Sequence, residues 1–487
     1  MSQYLYENAE WDFSVIERIY SACSEIALTE LSLDCYPNQI EIIGSERMLD
    51  AYSSVGMPIM YQHWSFGKRF MQEHDSYRKG RQGLAFEIVI NSNPCINYLM
   101  EGNTACTQTL VIAHAAFGHN HFFKNNYLFK QWTDASSIVD YLQFAKEYIA
   151  EQEIKHGHNE VERWIDSCHA LQDYGVDRYK RPAKLSMLKE KAKQKERQDY
   201  LQSQVNEFYN IMPTRKTPKD IGEDNWPAQP EENLLYWCEK YSPEIKPWQR
   251  EILRIVRKIA QYFYPQGQTK VMNEGFASLT HYTIMNRLHE KNLISDGSKL
   301  EFLDLHTNVL YQPPFDSKYY NGLNPYKLGF EILQDIQRMC TNPTAEDMEY
   351  FPNIIGLDPW ETVLDCVANY RDESFIRQWL SPKVIRDFGL FKIKDAKQAP
   401  DYVVTHIHNE AGYREIRESL ADQYLPYNHV PQIEVIKVDR KTRALHLRYT
   451  SVNQRSLANI QKMIPHIKKL WGGYAVTLED INGFILG

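Results

Sequence analysis

The segment Thr109-Leu-Val-Ile-Ala-His114-Ala-Ala-Phe-Gly118-His119-Asn-His121-Phe-Phe123 sets three imidazoles within eight residues of an otherwise apolar, helix-forming run. Imidazole is the commonest protein metal ligand and the usual proton carrier near neutral pH. A second cluster, Met272-Asn273-Glu274-Gly275-Phe276-Ala277-Ser278-Leu279-Thr280-His281, adds a carboxylate and a fourth His far downstream. Two His one turn apart on a helix, with a distant Glu as third ligand, is the zinc-hydrolase arrangement. The chemistry these residues would serve is the holding of a divalent metal, zinc being the first candidate, by His114, His119 and Glu274. Ala115 stands where the catalytic Glu of H-E-x-x-H would be. Proton transfer or charge stabilisation would then fall to His121 or His281.

The spacing sets a condition on that reading. His114 and His119 are five residues apart, which on a regular helix turns their side chains about 140° away from each other. His114 and His121 share a face but lie roughly 10.5 Å apart along the axis, too far for one ion at Zn–N distances of about 2.0–2.1 Å. One extra residue absorbed as a π-bulge near Gly118 would bring His114 and His119 into register. Alternatively the helix ends at Gly118 and leaves His119 and His121 on a turn. Without such a break the three are core histidines bonded to carbonyls and Tyr hydroxyls. Glu274 and His281, seven apart, share a helix face two turns apart. Glu274 is the better ligand, because Asn273-Glu274-Gly275 reads as a helix opening. Its alternative role is a capping carboxylate on the helix dipole.

Other candidates carry less. Glu153-Ile-Lys-His156 has the Glu-x-x-His spacing of di-iron bundles, but a single copy is explained by a charged surface helix. Cys168 and His169 are neighbours that point about 100° apart on a helix, which disfavours a nucleophile–base pair. Neither a Walker loop nor a dinucleotide glycine fingerprint is present.

The elements that must position these groups follow from periodicity. Residues 11 to 30 read as helix. Leu84 to Ile90 is a strand candidate closed by the turn Asn91-Ser92-Asn93-Pro94, and the His-rich helix begins after Asn103 or Thr104 as cap. Residues 133 to 170 are helical in pattern, and positive charge is dense from Arg178 to Arg197. That run is read as a solvated helix leading into a linker, with a basic docking surface as its alternative. Helical patterns then dominate from Trp248 to about Phe388. The C-terminal elements follow the order βαββαβ: strand 402–407, helix 410–424, strands 432–438 and 443–449, a helix face at Leu457, Ile460, Ile464 and Ile467, and strand 474–478. The expected fold is α+β. A large, mainly α-helical domain with a few strands covers 1–395, with 178–246 as a charged helix and linker insertion. A small ferredoxin-like module covers 399–485.

Composition bounds the function. The 487 residues are 43% hydrophobic and 24% charged, which suits a folded protein of about two domains. The net charge of -8 gives no drive toward nucleic acid. No stretch approaches the ~20 apolar residues of a membrane span, and the first residues do not form a secretory signal. Eight scattered cysteines without a Cys-x-x-Cys pair read as reduced thiols of a cytoplasmic protein.

Longer motifs carry a resemblance: Tyr36-Pro-Asn-Gln-Ile-Glu41, Tyr61-Gln-His-Trp-Ser-Phe-Gly-Lys68, His114 through Asn126, His169-Ala-Leu171, Tyr174 through Pro182, Asn273 through His281, and Asn324-Pro-Tyr-Lys-Leu-Gly329. In these the chain resembles the SpoVR (stage V sporulation protein R-like) family over nearly its whole length. The resemblance implies a setting of sporulation, stress, stationary phase or cell envelope. It also implies a PrkA-type serine protein kinase and a von Willebrand-like protein as neighbours. It supplies no catalytic residues. Two functions are therefore expected: a metal-dependent, hydrolase-like protein, or a non-enzymatic regulator or scaffold in a kinase-centred complex.

Overall fold

The computed structural model describes residues 4–54, 57, 59–78, 86–180, 226–227, 230–394, 403–425, 430–450, 455–480 and 485–486. Most of the basic run and linker, residues 181–225, lies outside the described residues, as do residues 84–85 of the strand candidate. The architecture is α+β and mainly helical, with small sheets. The chain divides into two compact units, Met1–Tyr148 with Tyr262–Leu425, and Ile149–Gln261 with Pro426–Gly487.

The first unit holds both His/Glu clusters. Its sheet has the order β1-β3-β2, from strands β1 (Asn38–Ile43), β2 (Glu87–Ile90) and β3 (Cys95–Met100). β1 runs parallel to β3, and β2 pairs antiparallel with it, Ile88 opposite Tyr98. The expected turn at 91–94 closes the β2–β3 hairpin. Helix α1 (Ala105–Ile112) follows, its N-cap Thr104 accepting from the Thr107 N–H as the sequence suggests. Every residue from Ala105 to Phe123 is buried. A segment apolar on all sides can only be stable inside the core, which is where the imidazoles are carried.

Helix α2 (Lys270–Glu290) packs against that buried segment on one side and against α3 (Pro325–Thr341) on the other. Both contacts are backbone-close. A Cβ on Gly118 would lie 2.7 Å from Ala277 Cα, and one on Gly275 would lie 2.4 Å from the Gly329 carbonyl carbon. The N-terminus of α2 is held by Asp372, which opens helix α4 (Asp372–Trp379) and accepts from the Val271 and Met272 N–H groups at 2.9 Å each. Orphan helix N–H groups in a core need such a partner.

The C-terminal elements come in the expected order. Strand β5 (Val403–His406) pairs with β4 (Lys392–Lys394), and helix α5 (Tyr413–Gln423) packs on α4 and buries Tyr413, Ile416 and Leu420 in the first unit. The sheet of the C-terminal module is β6-β7-β8-β9, from Gln432–Val438, Leu445–Thr450, Val476–Asp480 and Ile485–Leu486. β5 stays out of it because its partner is β4 and the apolar face of α5 is already covered by α4. In β7, Leu445, Leu447 and Tyr449 are buried, as the alternation predicts. β7 and β8 are parallel, joined through helix α6 (Arg455–Leu470), so the module is a small α+β unit.

All eight cysteines are free thiols. Among the described residues no helix is long and apolar enough to cross a membrane.

Candidate metal centre

The break that the sequence demands is present as a π-helical segment from Ala113 to His119. The i→i+5 pattern is explicit at its end, where the Asn120 N–H reaches the Ala115 carbonyl. One extra residue per turn rotates His119 back onto the face of His114. Their rings lie 4.6 Å apart, edge to face at 90°. Gly118 lets α2 approach this widened turn, and α2 brings Glu274 with it.

Four groups converge. His114 Nε2 lies 3.4 Å from Glu87 Oε1 and 3.7 Å from Glu274 Oε2, and His119 Nε2 lies 3.5 Å from Glu274 Oε2. One ligand atom each from Glu87, His114 and His119 falls within 4.8 Å of the others. Four ligands about 2.0 Å from a tetrahedral ion sit about 3.3 Å from one another, so the spacing suits a single ion. The carboxylate atoms Glu87 Oε2 and Glu274 Oε2 are buried without a hydrogen-bond partner. The cluster opens into a cavity of about 570 Å³.

The outer nitrogens of both ligand imidazoles are engaged. His119 Nδ1–H donates to Asn273 Oδ1 at 2.9 Å. His114 Nδ1 meets His281 Nδ1 at 2.9 Å, and His281 Nε2 meets His306 Nδ1 at 2.8 Å. Read as one chain, His114 donates to His281 and His281 donates to His306, which leaves the His114 Nε2 lone pair facing the cluster. Such outer partners fix the tautomer and orientation of metal-binding His.

The electrostatics agree with this assignment. Burial, aided by the His114 charge, lowers His119 to about 4. Burial and the neighbouring imidazoles push His281 well below its usual value, and burial with the His114 charge takes His306 to about 4. All three are neutral at pH 7. Burial raises Glu87 to about 7 against the pull of His114. His114 is itself lowered by burial, but Glu87 and Glu274 more than offset this and leave it above its ordinary value. Burial also raises Glu274, yet the close approach of His114 and the two imidazole charges bring it below the usual carboxylate range. The metal-free cluster therefore keeps a proton between Glu87 and His114, where an ion would sit.

Of the residues expected from sequence, His114, His119, Glu274 and His281 are brought together. His121 is not. Its Nδ1 accepts from the Asp34 N–H at 2.9 Å and its ring packs on Phe276 at 5.4 Å. His158 forms surface pairs with Glu153 and Glu162. Sequence reasoning missed Glu87, Asn273 and His306. A charged residue inside the apolar run Leu84 to Ile90 was the available signal for Glu87. Nothing comparable marked His306.

Fold and centre together define a mainly helical α+β protein with a buried two-His, two-Glu cluster. Residues 10–429 match the family described as SpoVR like protein, and residues 431–483 match the SpoVR-like C-terminal domain. The chain belongs to the SpoVR family. It is similar to the Escherichia coli (strain K12) protein described as uncharacterized protein YcgB, at 53% identity over 481 residues, covering 98% of this chain and 94% of that protein. No solved structure matches the chain.

Proposed function

We propose that this protein is a cytoplasmic, metal-dependent hydrolase whose ion is held by His114, His119 and Glu274. One observation carries the reading. Four lone-pair groups face one another in a buried site, and both imidazoles have their outer nitrogens already committed. Without a cation or proton between them they would repel. A divalent ion at such a site polarises a carbonyl or phosphoryl oxygen and acidifies water. Glu87, whose Oε1 lies 3.4 Å from His114 Nε2 on the same side as Glu274, is the general base that Ala115 cannot be. His281 and His306 hold the tautomer of His114, and His121 anchors the chain at Asp34. The other expected function, a non-enzymatic regulator in a PrkA-type kinase complex, leaves this buried cluster without a role.

The test is metal analysis of the purified full-length chain after loading with zinc, manganese or iron(II). About one ion per chain is expected, lost in His114→Ala and His119→Ala and retained in His121→Ala. Wild-type protein that retains no ion after all three loadings would overturn the proposal. Glu87→Gln should keep the ion and lose turnover, whereas Glu274→Gln should lose the ion.

A further inference from the structure

The cavity over the centre is lined by apolar side chains, among them Val89, Leu110, Val111 and Phe123, together with Glu87, Glu274 and Lys270, the one Lys or Arg among the described residues that line it. Lys270 is the first residue of α2 and stands four residues before Glu274, about 6 Å along the axis on the same helix face. It is exposed, and no described residue takes its ammonium in a hydrogen bond or ion pair. A cation without a partner among the described residues, at a cavity lined by both carboxylates and apolar side chains, is placed for a ligand's anion.

We propose that the cavity takes a carboxylate-bearing ligand with an apolar side group, its carboxylate on Lys270 and its reacting carbonyl at the His/Glu cluster. This rests on the metal reading, which sets the charge of the cavity as well as the place of the reacting carbonyl. With a divalent ion bound, the two Glu charges are balanced and Lys270 leaves the cavity at net +1. One ammonium complements a monoanion. A phosphate monoester dianion would leave one negative charge unmatched beside two carboxylates, which favours the carboxylate. The offset of about 6 Å puts that carboxylate within a residue or two of the reacting carbonyl, and a volume of about 570 Å³ suits a ligand of dipeptide size.

The probes are N-acetyl-phenylalanine and its C-terminal amide, titrated calorimetrically into zinc-loaded full-length protein, with metal content measured on the same samples. Wild type should bind the acid at least about tenfold more tightly than the amide, as one charge-assisted hydrogen bond would give. Lys270→Met should abolish that preference with metal content and melting temperature unchanged. Equal binding of acid and amide, binding of neither, or a preference that survives Lys270→Met would overturn the proposal. Loss of the metal itself overturns the centre instead. In the metal-free chain the two Glu charges are unbalanced, so the acid–amide comparison is read on samples that hold the ion.

Discussion

Gly118→Ala tests whether the close approach of two backbones sets the centre. The added Cβ would stand 2.7 Å from Ala277 Cα and 2.9 Å from its Cβ, where ordinary contact begins at 3.4 Å. The π-helical segment and α2 must therefore separate by about 0.7 Å, the shortfall of the closer contact. Helix α2 cannot retreat toward α3, because Gly275 and Gly329 already touch there through their backbones. The displacement thus falls between the segment that carries His114 and His119 and the helix that carries Glu274. Metal sites tolerate about ±0.2 Å in ligand distance. Overpacking of this kind costs about 1–3 kcal/mol of stability. Affinity for the ion should fall at least on the order of 10–100-fold, the range for outer-shell defects. Zinc affinity by chelator competition, with thermal denaturation alongside, measures both. A Gly118→Ala variant with wild-type melting temperature and zinc affinity within about twofold of wild type would refute the reasoning.

Zinc affinity should weaken as pH falls below about 7, because Glu87, raised to about 7 by burial, must shed its proton to admit the ion. Each displaced proton makes the loss about tenfold per pH unit, with a plateau above that range. Glu87→Gln should flatten the slope, and a pH-independent affinity between about 5.5 and 7 would contradict the shared-proton account. His306→Ala removes the end of the donor chain behind His114. It should cost about 10–100-fold in metal affinity with the circular dichroism spectrum unchanged; unaltered affinity would reduce His306 to packing. His121→Ala should keep the metal but lower stability by about 1–3 kcal/mol in denaturant titration, since it strands the Asp34 N–H. Asp372→Ala should destabilise by about 1–2 kcal/mol through the lost cap on α2, and no change would count against that cap.

What the sequence made legible was local. Periodicity marked the buried His helix, its Thr104 cap, the alternating β7 and the order of the C-terminal elements, because each is decided within one segment. Glu87 was hidden by distance: antiparallel pairing of Ile88 with Tyr98 aims it at His114, and no local pattern encodes that register. His306 reaches the centre only through His281, a contact between two helices whose packing no single segment fixes. The pairing of β5 with β4 depends likewise on which apolar face covers α5. His121 is a different case, because its exclusion follows from the condition that admits His119. His114 and His121 share a face on a regular helix. The extra residue that swings His119 onto His114 also turns His121 away by about 100°. The five-residue spacing therefore allows His114 one ligand partner downstream, and the π-helical segment decides in favour of His119.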